Sequence, residues 1–163
     1  MAYRIRRRRS RASGGLVASA VAAGALLAVL GHHAAAPAAA GCVAAEAIAY
    51  ARAQVGKPYQ WGGTGPGAFD CSGPVMQAYA SAGVHLARTS QDQWATERHV
   101  SSPRPGDLVF YPGADGTWAA PGHVALVVGG GQMIEAYGAG YPVRQVPIRP
   151  GMVGFTRPWG GAR

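Results

Sequence analysis

FDCSGPVMQAYASAG, residues 69–83, sets a cysteine at the mouth of what reads as a short helix. Val75, Met76, Tyr79 and Ala80 give the segment from about Cys71 to Ala82 one apolar stripe, and Gly83 stands where a left-handed helix cap belongs. Asp70 is placed to cap the helix, and Pro74 falls in the first turn, where its missing N–H costs little. Cys71 then has four readings: packing, half of a disulfide, a metal ligand or a nucleophile. A disulfide would need Cys42, the only other cysteine. A metal site needs further ligands at short spacing, and no second Cys or His lies near, so no metal is expected. Buried packing is the common fate of a free cysteine. A helix start after a glycine-rich loop nevertheless offers free backbone N–H groups and the positive end of the helix dipole. These are expected to lower the thiol pKa from roughly 8.5 and to receive an oxyanion. Position alone leaves packing and nucleophile both open.

On the N-terminal side, GKPYQWGGTGPGAFD (residues 56–70) is rich in Gly and Pro and reads as an irregular loop. It is not a phosphate-binding loop, because no Lys-Ser/Thr pair opens the following helix. Val43–Val55 has helix-forming composition with Ile48, Arg52 and Val55 at helical spacing, and Gly56 acts as a stop. On the C-terminal side, Leu86–Val100 reads as a loop with one short helix. After SPRPGD the period becomes strand-like, over Leu108–Tyr111, His123–Val128, Gln132–Ala136, Arg144–Ile148 and Val153–Arg157. Helices followed by a run of antiparallel strands indicate an α+β domain. Its length of about 120 residues suffices to bury a core without staples.

The first 41 residues are set apart. Six arginines between Arg4 and Arg11 precede the uncharged apolar run Leu16–Leu30 and a small-residue tail. That order is an export signal, and the run is short for a bilayer span of roughly 20 residues. The expected organisation is therefore a leader over 1–41 and one domain over 42–163, exported to the cell wall or beyond. Cys42 follows small residues, so lipid attachment there is the minor alternative. The charge argument changes with this division. The chain carries a formal +8, but beyond Arg11 nine basic residues face seven acidic ones, leaving +2. No basic patch interleaved with aromatics remains, so nucleic acid is not an expected partner.

His123 opens the apolar strand HVALVVG, and Glu135 lies beyond the glycine turn of ALVVGGGQMI. A hairpin turn centred on Gly129 sets the two directly opposite, and one centred on Gly130 sets them on a diagonal. Both place them on one face. Opposed Cβ atoms are roughly 5 Å apart and diagonal ones about 7–8 Å, within reach of a carboxylate–imidazole contact. A two-residue turn at Gly129–Gly130 would put them on opposite faces. Taken alone, each has a bland reading, a strand-end histidine and a solvated strand carboxylate. Together they form the base and orienting acid that a cysteine nucleophile requires.

FDCSG at 69–73, RTSQDQW at 88–94, PRPGDLVFY at 103–111, GHVALVVGGGQMIEA at 122–136 and GKPYQWGG at 56–63 together resemble the NlpC family of papain-like cell-wall cysteine peptidases. The resemblance spans about residues 44–158. It implies a papain-like fold with the nucleophile helix packed on a C-terminal antiparallel sheet, Cys71 as nucleophile and His123 as base. The family's third position is often His, Asn or Gln. Here it is Glu135, as in some similar actinobacterial cell-wall endopeptidases. Tyr59, Asp70, Ser72, Arg88 and Ser90 match positions associated with binding the stem peptide. The alternatives are packing for Tyr59 and Trp61, capping for Asp70 and a turn for Ser90. Pro74 departs from the family, which usually has Leu there. The implied activity is a secreted, cofactor-free, monomeric peptidoglycan endopeptidase that cleaves the amide between D-glutamate and the diamino acid of stem peptides. Two alternatives stand beside it: a wall amidase or acyltransferase with the same site, and a non-catalytic wall-binding domain.

Overall fold

The computed structural model describes residues 37–159. The basic head, the apolar run and most of the small-residue tail of the expected leader lie outside them. Three helices precede or interrupt a single antiparallel sheet: α1 Pro37–Ala53, α2 Gly73–Ser81 and α3 Ser90–Thr96. The strands are β1 Arg98–Val100, β2 Leu108–Tyr111, β3 His123–Gly129, β4 Gln132–Glu135, β5 Arg144–Pro147 and β6 Gly154–Arg157. Their order across the sheet is β1-β6-β2-β3-β4-β5. The expected α+β class and the helix-on-sheet arrangement are thus present.

Alternation along the strands makes the sheet two-faced. Leu108, Phe110, Val124, Leu126, Val128 and Ile134 point toward α1 and α2, where Ala47, Ile48, Ala51, Val75, Ala78 and Tyr79 complete the main core. Val109, Tyr111, Ala125, Val127 and Met133 point the other way and are covered by Val146, Ile148, Met152 and Phe155. Each fully buried large side chain contributes roughly 1.5–3 kcal/mol of transfer free energy. The stripe that α1 buries is Ala44, Ala47, Ile48 and Ala51, spaced three and four apart. Of the residues noted at helical spacing, Ile48 belongs to this stripe, whereas Arg52 and Val55 are exposed. Alanine lets the α1 backbone approach α2 closely, so the small residues face inward.

Strand β1 is absent from the sequence reading. Arg98–His99–Val100 has no apolar alternation, and it forms a short edge strand because it pairs with β6. Trp94 at the end of α3 assists, with its ring centroid 4.0 Å from that of His99 and 5.2 Å from that of Phe110. An ion pair ties β6 to the start of β2. Arg157 grips the buried Asp107 through Nε and Nη2, both at 2.7 Å, while Asp107 also accepts the Arg104 N–H.

The β3–β4 hairpin resolves the question of faces. Gly130 and Gly131, with φ of +60° and +69°, form a two-residue turn between the paired Gly129 and Gln132. Both positive φ values are those of the primed hairpin turns. A two-residue turn at this place would by itself send His123 and Glu135 to opposite faces. A bulge between Val127 and Gly129 adds one residue to β3 and restores the parity, giving Val127 opposite Met133 and Leu126 opposite Ile134. Continued one step, this register sets Ala125 opposite Glu135 and His123 on the diagonal.

Candidate active site

Cys71 is held by the residues on either side of it. Regular helix begins at Gly73, two residues later than predicted, and Pro74 sits in its first turn as expected. Ser72 stands at the cap position without a capping side chain. Asp70 does the capping instead, its Oδ1 accepting the Gly73 N–H at 2.8 Å and the Ser72 hydroxyl at 3.2 Å. The Asp70 N–H donates to the Gly63 carbonyl at 2.9 Å. A Cβ on residue 73 would lie 2.4 Å from that same carbonyl oxygen. The glycine after the Cys-Ser pair is therefore required by the approach of the 56–63 loop to the start of α2.

The thiol is half-buried and donates to the Gly122 carbonyl at 3.6 Å, one residue before His123. Burial and then the neighbouring Asp70 carboxylate push its pKa up, and backbone hydrogen bonds at Val124, Ser72 and Cys71 only partly offset them. The expected lowering by the helix start is not what the structure gives. Cys71 stands ahead of the first regular turn, beside a carboxylate, and desolvation dominates. The thiol therefore rests protonated, and forming the nucleophile requires a proton acceptor.

His123 borders the same cavity as Cys71 and is the residue able to serve as that acceptor. His123 Nε2 lies 2.8 Å from Glu135 Oε2, and both side chains are almost wholly removed from solvent. Arg144 donates to Glu135 Oε1 through Nε at 3.2 Å and Nη2 at 2.9 Å, and Arg149 Nη1 donates to Oε2 at 2.8 Å. Burial alone would raise the Glu135 pKa. The hydrogen bonds from His123, Arg149 and Arg144 outweigh it and hold the carboxyl at about 2. An ionised carboxylate only accepts, so Nε2 of His123 carries the proton and Nδ1 is left as the basic nitrogen. The ring is flanked by Tyr111, its ladder partner across β2–β3, and by Tyr137, with centroids 6.0 and 5.7 Å away.

Two cavities meet at Cys71. One, of about 440 Å³, is bordered by His123, Tyr111, Tyr137 and Arg149. The other, of about 390 Å³, is bordered by Asp70, Arg88 and Ser90. Tyr59, Trp61, Cys71, Asp115 and Gly122 border both. A thiol, an oriented imidazole and a groove running to either side form the arrangement of a peptidase cleft.

The profile of the NlpC/P60 family matches residues 56–153, more than half of the chain. This chain belongs to the NlpC/P60 family. It is 40% identical over 125 residues to the peptidoglycan endopeptidase RipB of Mycobacterium tuberculosis, covering 67% of this chain and 50% of RipB. It is 46% identical over 91 residues to the probable endopeptidase p60 of Listeria monocytogenes, covering 55% of this chain and 18% of p60. The chain thus spans half or less of the length of these relatives. The solved structure of the peptidoglycan hydrolase RipB superposes with a TM-score of 0.67 at 36% identity, covering 76% of this chain and 68% of the other. The fold is the papain-like one of the NlpC/P60 structures.

Within this NlpC/P60 site the predicted residues divide. Glu135 is hydrogen-bonded to His123, and His123 borders the same cavity as Cys71. Tyr59, Asp70, Ser72, Arg88 and Ser90 also gather on one side of the cysteine, but several are committed internally. Arg88 pairs with Asp70 and donates to the Ser72 hydroxyl at 2.8 Å. Ser90 is buried, and its hydroxyl bonds to Gln91 at 3.2 Å. Arg88 and Tyr59 retain surface toward the second cavity. Cys42 and Cys71 are both free thiols, and Cys42 is exposed on α1.

The sequence reading missed Arg144, Arg149, Tyr111 and Tyr137. Arg144 had a signal, since β5 was predicted to start there and it pairs directly with Glu135. The irregular connection between Glu135 and Arg144 hid that register. Arg149 lies past the end of β5 and is positioned by Tyr111, whose hydroxyl accepts its N–H at 3.2 Å and bonds to its carbonyl at 3.1 Å.

Proposed function

We propose that this NlpC/P60 chain is an exported peptidoglycan endopeptidase that cleaves the amide between D-glutamate and the diamino acid of wall stem peptides, with Cys71 as nucleophile. The observation that carries the reading is the 2.8 Å contact by which buried Glu135 holds His123, whose ring borders the same cavity as Cys71. The names of the similar RipB and p60 proteins support an endopeptidase, and RipB's name supplies peptidoglycan. Kinship with the family supplies the scissile bond. The basic, apolar and small-residue order of residues 1–41 supports export.

In this mechanism Nδ1 of His123 takes the Cys71 proton as sulfur attacks the glutamyl carbonyl carbon. The carbonyl electron pair moves to oxygen, which backbone N–H groups at residues 71 and 72 receive. The tetrahedral adduct collapses to a thioester. The C–N bond breaks, and the imidazolium returns its proton to the departing amine. Water, deprotonated by the same nitrogen, then attacks the thioester and releases the carboxylate and the thiol. Glu135 holds the ring and its charge throughout. Because the resting thiol is protonated, proton transfer to Nδ1 accompanies the attack of sulfur on the carbonyl.

Digestion of purified peptidoglycan followed by mass spectrometry of the fragments tests the assignment. The expected products carry a new free amine on the diamino acid, and Cys71→Ala yields none of them. Cleavage at the muramyl amide, or undiminished lysis by Cys71→Ala, would overturn it.

A further inference from the structure

Two guanidiniums face one carboxylate beside the cleft, and they are not equivalent. Arg144 commits Nε and Nη2 to Glu135 and does not border the cavity. Arg149 commits only Nη1, and among the described residues its Nε and Nη2 have no hydrogen-bond partner. Its side chain is about one-third exposed, borders the cavity that holds His123, and places its guanidinium carbon 4.1 Å from the Tyr111 ring centroid and 5.1 Å from that of Tyr137. The guanidinium is thus fixed in place with donors to spare, and the Arg144–Arg149–Glu135 group keeps one unit of surplus positive charge. The other charged residue bordering this cavity, Asp115, stands where the two cavities meet, whereas Arg149 lies in the part not shared.

The position of the imidazole says which part of a substrate reaches Arg149. His123 protonates the leaving amine, so the residue that departs as the amine lies over the ring, in the cavity His123 borders. The second cavity, which His123 does not border, takes the acyl side. Resting on the endopeptidase reading above, we infer that Arg149 determines specificity by binding a free side-chain carboxylate on the departing diamino acid. The α-carboxyl of that residue continues the stem, so the side chain carries the free one. A fixed guanidinium with two unused donors matches a carboxylate and leaves a carboxamide or a bare aminoalkyl chain with less to bind.

The test uses two synthetic tetrapeptides, L-Ala-γ-D-Glu-X-D-Ala, in which the side chain of the diamino acid X ends in a carboxylate or in the corresponding carboxamide. The wild type is expected to show a kcat/KM at least about 10-fold higher for the carboxylate. Arg149→Gln brings that ratio to about 1. Arg144→Gln, whose hydrogen bonds go to Glu135 and whose guanidinium lies over Tyr137 and Tyr141 without bordering the cavity, slows both substrates and preserves the ratio. Equal rates for the wild type, or a preference that survives in Arg149→Gln, would overturn the inference while leaving the endopeptidase assignment standing. Cleavage of neither tetrapeptide at the glutamyl bond would overturn both. If Arg149→Gln does not fold, the wild-type ratio alone decides against the inference when it is 1. Arg149→Lys, which keeps the charge without the fork, then supports it by showing an intermediate ratio.

Discussion

At the level of single residues, Glu135 does two things that its burial makes inseparable. As a carboxylate held at about 2 it fixes the proton on Nε2 of His123, and it neutralises part of the arginine charge around it. A folded-state pKa below the ordinary 4.5 means stability that is present above about 4.5 and lost as pH falls toward 2. The shift corresponds to about 3 kcal/mol. Glu135→Gln is accordingly expected to be destabilised at pH 7 by roughly that order, with the gap from wild type closing as the pH of urea unfolding is lowered from 6 to 2. Its kcat should fall by about 10²-fold or more, because an amide can also present its N–H₂ to the ring and lose the tautomer. A constant stability gap across that range would mean that the carboxylate is not the group being titrated.

The thiol gives a second test at this scale. Burial and Asp70 push Cys71 upward, so iodoacetamide labelling of the free protein should rise with a midpoint above that of an ordinary thiol, roughly 8.5. Peptide mapping separates it from the exposed Cys42. A midpoint below 7 would show a standing thiolate–imidazolium pair and remove the need for proton transfer during the attack.

Elements set these residues in place through a few backbone requirements. The start of α2 meets the 56–63 loop so closely that residue 73 cannot carry a side chain, since its Cβ would meet the Gly63 oxygen at 2.4 Å. Gly73→Ala should therefore displace Cys71, costing about 1–3 kcal/mol in stability and lowering kcat at least about 10-fold. Melting and steady-state assays read both quantities. Unchanged activity would mean that the loop yields without moving the sulfur. At the hairpin, Gly130 and Gly131 have φ of +60° and +69° and open space around them. Gly131→Val should cost about 1–2 kcal/mol from backbone strain alone.

Much of this level could be read from the sequence, because it depends on local chemistry. Gly83 does follow the Ala82 cap of α2 in the left-handed conformation, Pro74 does fall in its first turn, and the five predicted strands lie within one or two residues of their places. The hairpin left its face assignment open. It turned on the bulge at Val128, and no residue type announces a bulge inside an apolar strand. The buried stripe of α1 did not follow from the spacing of Ile48, Arg52 and Val55, because close helix packing selects alanine for it. The arginines around Glu135 come from beyond an irregular connection, where register no longer follows from spacing.

Across the whole molecule, the cleft is the place where pieces distant in sequence converge: the start of α2, the start of β3, the end of β4 and the loop beyond β5. The family resemblance made this convergence legible, since periodicity alone could not have joined residues 71 and 123. The elevated thiol pKa was not legible, because it depends on three-dimensional burial and on the direction Asp70 faces. No disulfide contributes, and both cysteines are free. Reductant should therefore leave the melting temperature unchanged, and Cys42→Ser should alter stability by no more than about 0.5 kcal/mol.

The central claim is that Cys71 carries the acyl group. The most direct measurement is mass spectrometry of enzyme quenched in acid during turnover of a stem tetrapeptide, with the peptide containing Cys71 isolated. A thioester adduct with the mass of the glutamyl side of the substrate is expected on that peptide, absent from Cys71→Ala and strongly reduced in His123→Ala, whose thiol has no base to take its proton. An adduct on another residue, or turnover by the wild type with no thioester under conditions that trap one on a control cysteine peptidase, would contradict the account.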